Sequence, residues 1–86
     1  MADQKAQLCK PAFEHLSPEK RERILKIARE EFADNGFENT SIQQIARKSD
    51  ISVGSVYKYF DNKEMMFTYI VQEGLSMLEE MLLQLA

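Results

Sequence analysis

With 86 residues the chain has room for one domain, and 44% apolar residues with only 3 Gly and 2 Pro make it a folding chain, not a disordered one. One cysteine excludes an internal disulfide, and one cysteine with one histidine cannot close a metal site. The net charge of −3 resides wholly in residues 63–86, where Lys63 stands against Glu64, Glu73, Glu79 and Glu80, while residues 18–62 balance to zero.

Residues 1–16 show no sustained period and are expected to form a flexible N-terminal arm. The arm has no apolar stretch of the kind a secretory signal carries, and no run in the chain reaches the roughly 18 apolar residues of a membrane-spanning helix. Cys9 lies in this arm, and a lone thiol fits a reducing cytoplasm.

Ser17-Pro18 predicts the start of the first helix. Serine is a good N-cap, and proline at the first helical position has no N–H to leave unpaired. Ile24, Leu25, Ile27, Ala28 and Phe32 recur at helical spacing. Asn35-Gly36 ends the helix with a glycine suited to a left-handed cap, and Phe37 packs back on the core. The run Lys20-Arg21-Glu22-Arg23 is mixed in sign and reads as a solvated helix face.

The second helix is predicted from Thr40, where Thr40-Ser41-Ile42-Gln43 fits a capping box. Its apolar stripe is Ile42, Ile45 and Ala46, and it stops near Ser49-Asp50. Arg47 and Lys48 read as plain surface. Ile51 bridges to a third helix capped by Ser52, with Val53, Val56 and Phe60 on one face. Asp61-Asn62 stops that helix, and Asn62 caps a fourth beginning at Lys63. The fourth is apolar on nearly every side from Met65 to Leu85. Left bare, its far half predicts self-association or a frayed end.

Two short helices joined by a tight turn make a helix-turn-helix, about Ser41–Phe60. Its second helix opens with Ser52, Val53, Gly54 and Ser55, whose small side chains allow a close approach to another surface. Tyr57, Lys58 and Tyr59 follow, a set suited to phosphate and sugar contacts. A protein-interaction module, docking a partner through the hydrophobic fourth helix, is the alternative, and the neutral charge of residues 18–62 favours it. The Tyr57-Lys58-Tyr59 cluster argues against it. The sequence holds no convergent acid, base and nucleophile and no glycine-rich phosphate loop, so no catalytic residue is predicted.

From Arg21 to about Phe67 the chain resembles the DNA-binding domain of the TetR family of bacterial transcriptional regulators. The marks are Ile24-Leu25 and Ala28 before Phe32, Gly36-Phe37, Thr40-Ser41, Ile45-Ala46, Val53-Gly54, and Val56 to Phe60 ahead of Asn62-Lys63-Glu64. The resemblance implies an all-α fold: a homeodomain-like three-helix helix-turn-helix bundle at 17–62 plus a long fourth helix at 63–86. It implies that Thr40 and Ser41 hold backbone phosphates, and that Ser52, Val53, Gly54 and Ser55 enter the major groove. Tyr57 and Tyr59 grip phosphates, Lys58 reaches a phosphate or base edge, and Lys63 presents its charge to another phosphate. Phe60 is core. The implied partner is a palindromic double-stranded DNA operator bound by a homodimer, in a cytoplasmic, nucleoid-associated repressor with no membrane contact. No cofactor or metal is implied. A small-molecule effector would act through a further domain outside this chain, to which residues 63–86 would connect.

Overall fold

The computed structural model describes residues 8–85. Among them the chain forms five helices and no strand: α1 (Pro11–Glu14), α2 (Pro18–Asn39), α3 (Ile42–Lys48), α4 (Val53–Tyr59) and α5 (Lys63–Leu85). The architecture is all-α, with α2, α3 and α4 forming the helix-turn-helix unit and α5 the long fourth helix of the sequence prediction.

Local side chains set most of the boundaries. Ser17 accepts the Lys20 N–H at 3.3 Å and Pro18 opens α2. α2 is broken at Gly36, whose φ of 78° and ψ of 165° fall in a region essentially reserved for glycine. The last residues before Thr40 therefore form a separate turn, and the helix proper ends where Asn35-Gly36 predicts. The N-cap of α3 is Ser41, one residue later than the Thr40 start predicted from the sequence. Ser41 accepts the Gln44 N–H at 3.1 Å. Thr40 cannot serve because its hydroxyl is directed inward, shared between the carbonyls of Glu31 (2.9 Å) and Gly36 (2.8 Å).

The turn between α3 and α4 is a Schellman motif. The Ile51 N–H reaches back to the Ala46 carbonyl at 3.0 Å, and the Asp50 N–H to Arg47 at 3.1 Å. Asp50 supplies the left-handed residue, with φ 61°. Ser52 and Asn62 then cap α4 and α5 as the sequence predicts, accepting from Ser55 N–H at 3.0 Å and Met65 N–H at 2.8 Å.

Ala28, Ile45, Val56, Phe60 and Met66 fill the centre. Two aromatic groups tie the helices together. Phe32 meets Phe37 at 6.0 Å and Phe67 at 5.0 Å, joining α2, its terminal turn and α5. Phe13 meets Phe60 at 4.9 Å, Tyr69 at 5.7 Å and Tyr59 at 5.8 Å, joining α1 to the end of α4 and to α5. A buried carboxylate, Glu31, binds α2 to α3 through Lys48 Nζ at 2.5 Å, so Lys48 is a structural cation rather than plain surface.

The flexible arm expected over 1–16 is not what the structure has over residues 8–16; residues 1–7 of that arm lie outside the described residues. Phe13 is 0% exposed and Cys9 is buried. The Lys10 N–H donates to the Tyr59 carbonyl at 2.8 Å. At the other end of the segment, Arg21 donates to the carbonyls of Glu14 (2.8 Å) and Leu16 (2.7 Å). The segment is bound to α4 on one side and α2 on the other. In α5 the helix runs unbroken to Leu85, but Leu75, Met77, Leu78, Met81, Leu82, Leu83 and Leu85 are exposed. Ala86, the last residue of the predicted fourth helix, lies outside the described residues.

Phe13→Ala tests the docked segment. Removing a fully buried phenyl ring costs about 3–5 kcal/mol, whereas truncation in a mobile arm costs close to nothing. Urea unfolding should show a midpoint lowered by most of the stability of so small a domain.

Candidate functional site

The site is the outer surface of α3, the Schellman turn and α4. α4 is anchored on its inner side by Val56, with Phe60 closing its end; both are about 1% exposed. The opposite side carries Ser52, Gly54, Tyr57 and Lys58, all exposed, with Tyr57 at 42%. Val53 and Ser55 are half-buried at the margins, Val53 packing on the core. A methyl group at Gly54 would meet only the Ser52 Oγ at 3.8 Å, an ordinary contact. The fold therefore has no steric need of glycine there. What Gly54 provides is bare backbone open to close approach.

The serines are already linked. Ser52 Oγ accepts the Ser55 N–H and donates to Ser55 Oγ at 3.0 Å, which leaves the Ser55 hydroxyl proton for an external acceptor. Ser41, exposed at the start of α3, accepts from Gln44 and keeps its own proton in the same way. Tyr57 and Lys58 side chains make no ion pair or hydrogen bond among the described residues.

The other expected contacts lie elsewhere. Tyr59 is half-buried with its ring on Phe13, and its carbonyl is held by Lys10. Thr40 is 2% exposed and its hydroxyl is engaged inside the fold, so it presents nothing to a phosphate. Lys63 is turned inward as well. Its ammonium donates to the carbonyls of Phe37 (2.8 Å) and Thr40 (3.1 Å) and sits 4.3 Å from the centre of the Phe37 ring. Lys63 thus adds a donor to the Phe37 carbonyl, which also accepts the Thr40 N–H at 3.3 Å, and supplies one to the Thr40 carbonyl where the chain passes from α2 to α3. In this structure the Thr40 hydroxyl and the Lys63 ammonium, both expected at phosphates, are engaged with carbonyls of the fold.

The sequence reading missed Lys10. Its ammonium donates to the Tyr57 carbonyl at 3.0 Å and pairs with Asp61 at 2.9 Å, placing a cation at the negative end of α4. The available signal was Pro11 opening a helix with Phe13 and Leu16 behind it. No group of three or more His, Cys, Asp or Glu among the described residues is arranged to hold a metal. Among the described residues no helix is long and apolar enough to cross a membrane.

The inward role of Lys63 has a measurable consequence. Lys63→Met keeps the apolar stem but removes the ammonium donor from the Thr40 carbonyl and the shorter of two donors from the Phe37 carbonyl, and should lower stability by about 1–3 kcal/mol. Lys58→Met, at an exposed cation with no partner, should change it by less than about 0.5 kcal/mol. Equal urea midpoints for the two variants would contradict the assignment.

Residues 24–70, more than half of the chain, match the family described as bacterial regulatory proteins, tetR family. An HTH-type transcriptional regulator of Staphylococcus aureus (strain bovine RF122 / ET3-1) is 36% identical over 58 residues, which are 67% of this chain and 31% of that protein. HTH-type transcriptional regulators of the USA300 and N315 strains are 37% identical over 57 residues, 66% of this chain and 31% of theirs. The chain thus spans about a third of the length of the curated relatives it matches. No solved structure matches it. The match covers the helix-turn-helix and the first turns of α5, the part whose geometry forms the site: the chain belongs to the tetR family of bacterial regulatory proteins.

Proposed function

We propose that the chain binds double-stranded DNA sequence-specifically, laying α4 in the major groove, as the reading head of a bacterial transcriptional repressor. One observation carries this: a short helix, backed by Val56 and Phe60, presents Ser52, Gly54, Tyr57 and Lys58 on its free side. A helix fits the major groove, and small residues at its start let the backbone approach base edges. Ser55 and Val53 flank the entry and read sequence. Tyr57, Lys58 and Ser41 hold phosphates. Tyr59 contributes by orienting the end of α4 rather than by a direct grip.

Two copies bind a palindromic operator, their recognition helices about 34–36 Å apart to match one turn of duplex. The exposed apolar end of α5 leads into a further domain that dimerises and takes a small-molecule effector, so residues 63–85 connect head to switch. Repression follows from occupancy of the operator in the cytoplasm, on the nucleoid, with no chemistry at this site. The alternative, docking of a partner protein on α5, rests on the bare leucines and methionines from Leu75 to Leu85.

A titration of random-sequence duplex at low salt separates the two readings. DNA binding requires measurable affinity, with log K falling linearly with log salt by about 0.9 for each phosphate neutralised. Absence of binding at 50 mM salt, a concentration at which non-specific complexes form readily, would remove the DNA reading. Within it, Tyr57→Phe should weaken binding to every sequence alike. Ser55→Ala should change which sequences are recovered by selection from random duplexes.

A further inference from the structure

We propose a second phosphate grip beside the recognition helix, formed by Lys20 and Arg23 of α2. The proposal rests on the DNA-binding reading and adds residues that reading does not use.

The sequence has 11 Lys and Arg, and all but Lys5 lie in the described residues. Most already have a partner within the chain. Lys10 pairs with Asp61, Arg29 with Glu22, and Lys48 with Glu31. Arg21 holds the carbonyls of Glu14 and Leu16, Arg47 donates to the Gln44 side chain, and Lys63 holds those of Phe37 and Thr40. Among the described residues, Lys20, Arg23, Lys26 and Lys58 have no side-chain partner. Lys58 is on α4 itself.

Lys20 and Arg23 stand three residues apart, on one face of α2, and both line a cleft of about 220 Å³. The opposite wall of the cleft is the helix-turn-helix: Ser49 and Asp50 in the turn, and Tyr59 at the end of α4. The turn that leads into α4 and the last residue of α4 thus both border the cleft. The Ser49 hydroxyl in that wall is buried with no hydrogen-bond partner among the described residues. Asp50 also lines the cleft, but its carboxylate pairs with neither cation, and two cations against one anion leave the cleft positive. The major groove is about 12 Å wide, little more than the helix that enters it, so long cationic side chains flanking that helix meet the phosphates of the groove wall. The mixed run Lys20-Arg21-Glu22-Arg23 therefore divides: Arg21 turns in to the chain, Glu22 pairs with Arg29, and the two remaining cations face the cleft.

The test is the salt slope of binding to random-sequence duplex between 50 and 200 mM salt, the range over which phosphate contacts dominate. The chain carrying Lys20→Gln and Arg23→Gln together should lose about 1.8 from the slope of log K against log salt, about 0.9 for each phosphate contact. Lys26→Gln, a cation on α2 outside the cleft, should leave the slope unchanged. Urea midpoints should be the same for all three proteins, since these side chains hold nothing inside the fold. A double variant that retains the wild-type slope overturns the proposal, and so does a Lys26→Gln slope reduced as far as one contact. Wild-type protein that binds no duplex removes the DNA-binding reading itself, a result distinct from either.

Discussion

A helix of seven residues is too short to persist alone in water, because nucleation is unfavourable and isolated helices below about 12–15 residues are marginal. α4 is such a helix, and the rest of the fold supplies what it lacks. Ser52 satisfies an N–H at its start, and the Schellman turn at Asp50 and Ile51 fixes the direction of entry. Val56 and Phe60 bury its inner side. Its far end has orphan carbonyls and the negative end of the dipole, and Lys10 meets both, by its N–H at Tyr59 and its ammonium at Tyr57. Phe13 then locks the segment bearing Lys10 against Phe60 and Tyr69. The N-terminal segment, outside residues 24–70 of the family match, is part of what makes α4 a rigid surface.

The same accounting of polar groups explains the other end of the bundle. The chain must leave α2 sharply to start α3 nearly at once, and Gly36 makes that possible at the expense of helical hydrogen bonding. The carbonyls of Glu31, Gly36, Phe37 and Thr40 are answered by the Thr40 hydroxyl and the Lys63 ammonium, both from beyond the break. Phe37 serves twice, stacking on Phe32 and lying under the Lys63 ammonium. Because Lys63 opens α5, this cluster fixes where α5 leaves the bundle.

Short-range features of the fold were legible in the sequence because their causes are short-range. Ser17, Ser52 and Asn62 cap as predicted, since a cap needs only its own side chain and an N–H three residues on. Thr40 and Ser41 are both competent caps, and the choice between them was made by Gly36 and Glu31, which sequence spacing does not bring together. α1 escaped notice because four residues are barely one turn, so no period can emerge. For the site, the exposed positions of α4 followed from the helical spacing of Val53, Val56 and Phe60. Lys63 and Tyr59 did not, because a long side chain near a helix end can reach outward or fold back, and distant backbone groups decide which.

Net charge misleads in this chain for the same reason. A sum over the sequence counts Lys48, Lys63 and Arg21 as though they faced solvent, yet each is bound to a carboxylate or carbonyl of the fold. It also counts Glu64, Glu73, Glu79 and Glu80, all on α5, the helix that leads away from α4. Salt screens exposed charges beyond about 8–10 Å, so the far acids of α5 have little effect on a polyanion lying against α4. What such a surface experiences is the local set: Lys58, Lys20 and Arg23 without partners, Asp50 against them, and hydroxyls on Ser41, Ser55 and Tyr57. An acidic chain can thus present a locally positive surface, because folding pairs some of its cations and leaves Lys58, Lys20 and Arg23 unpaired near one short helix.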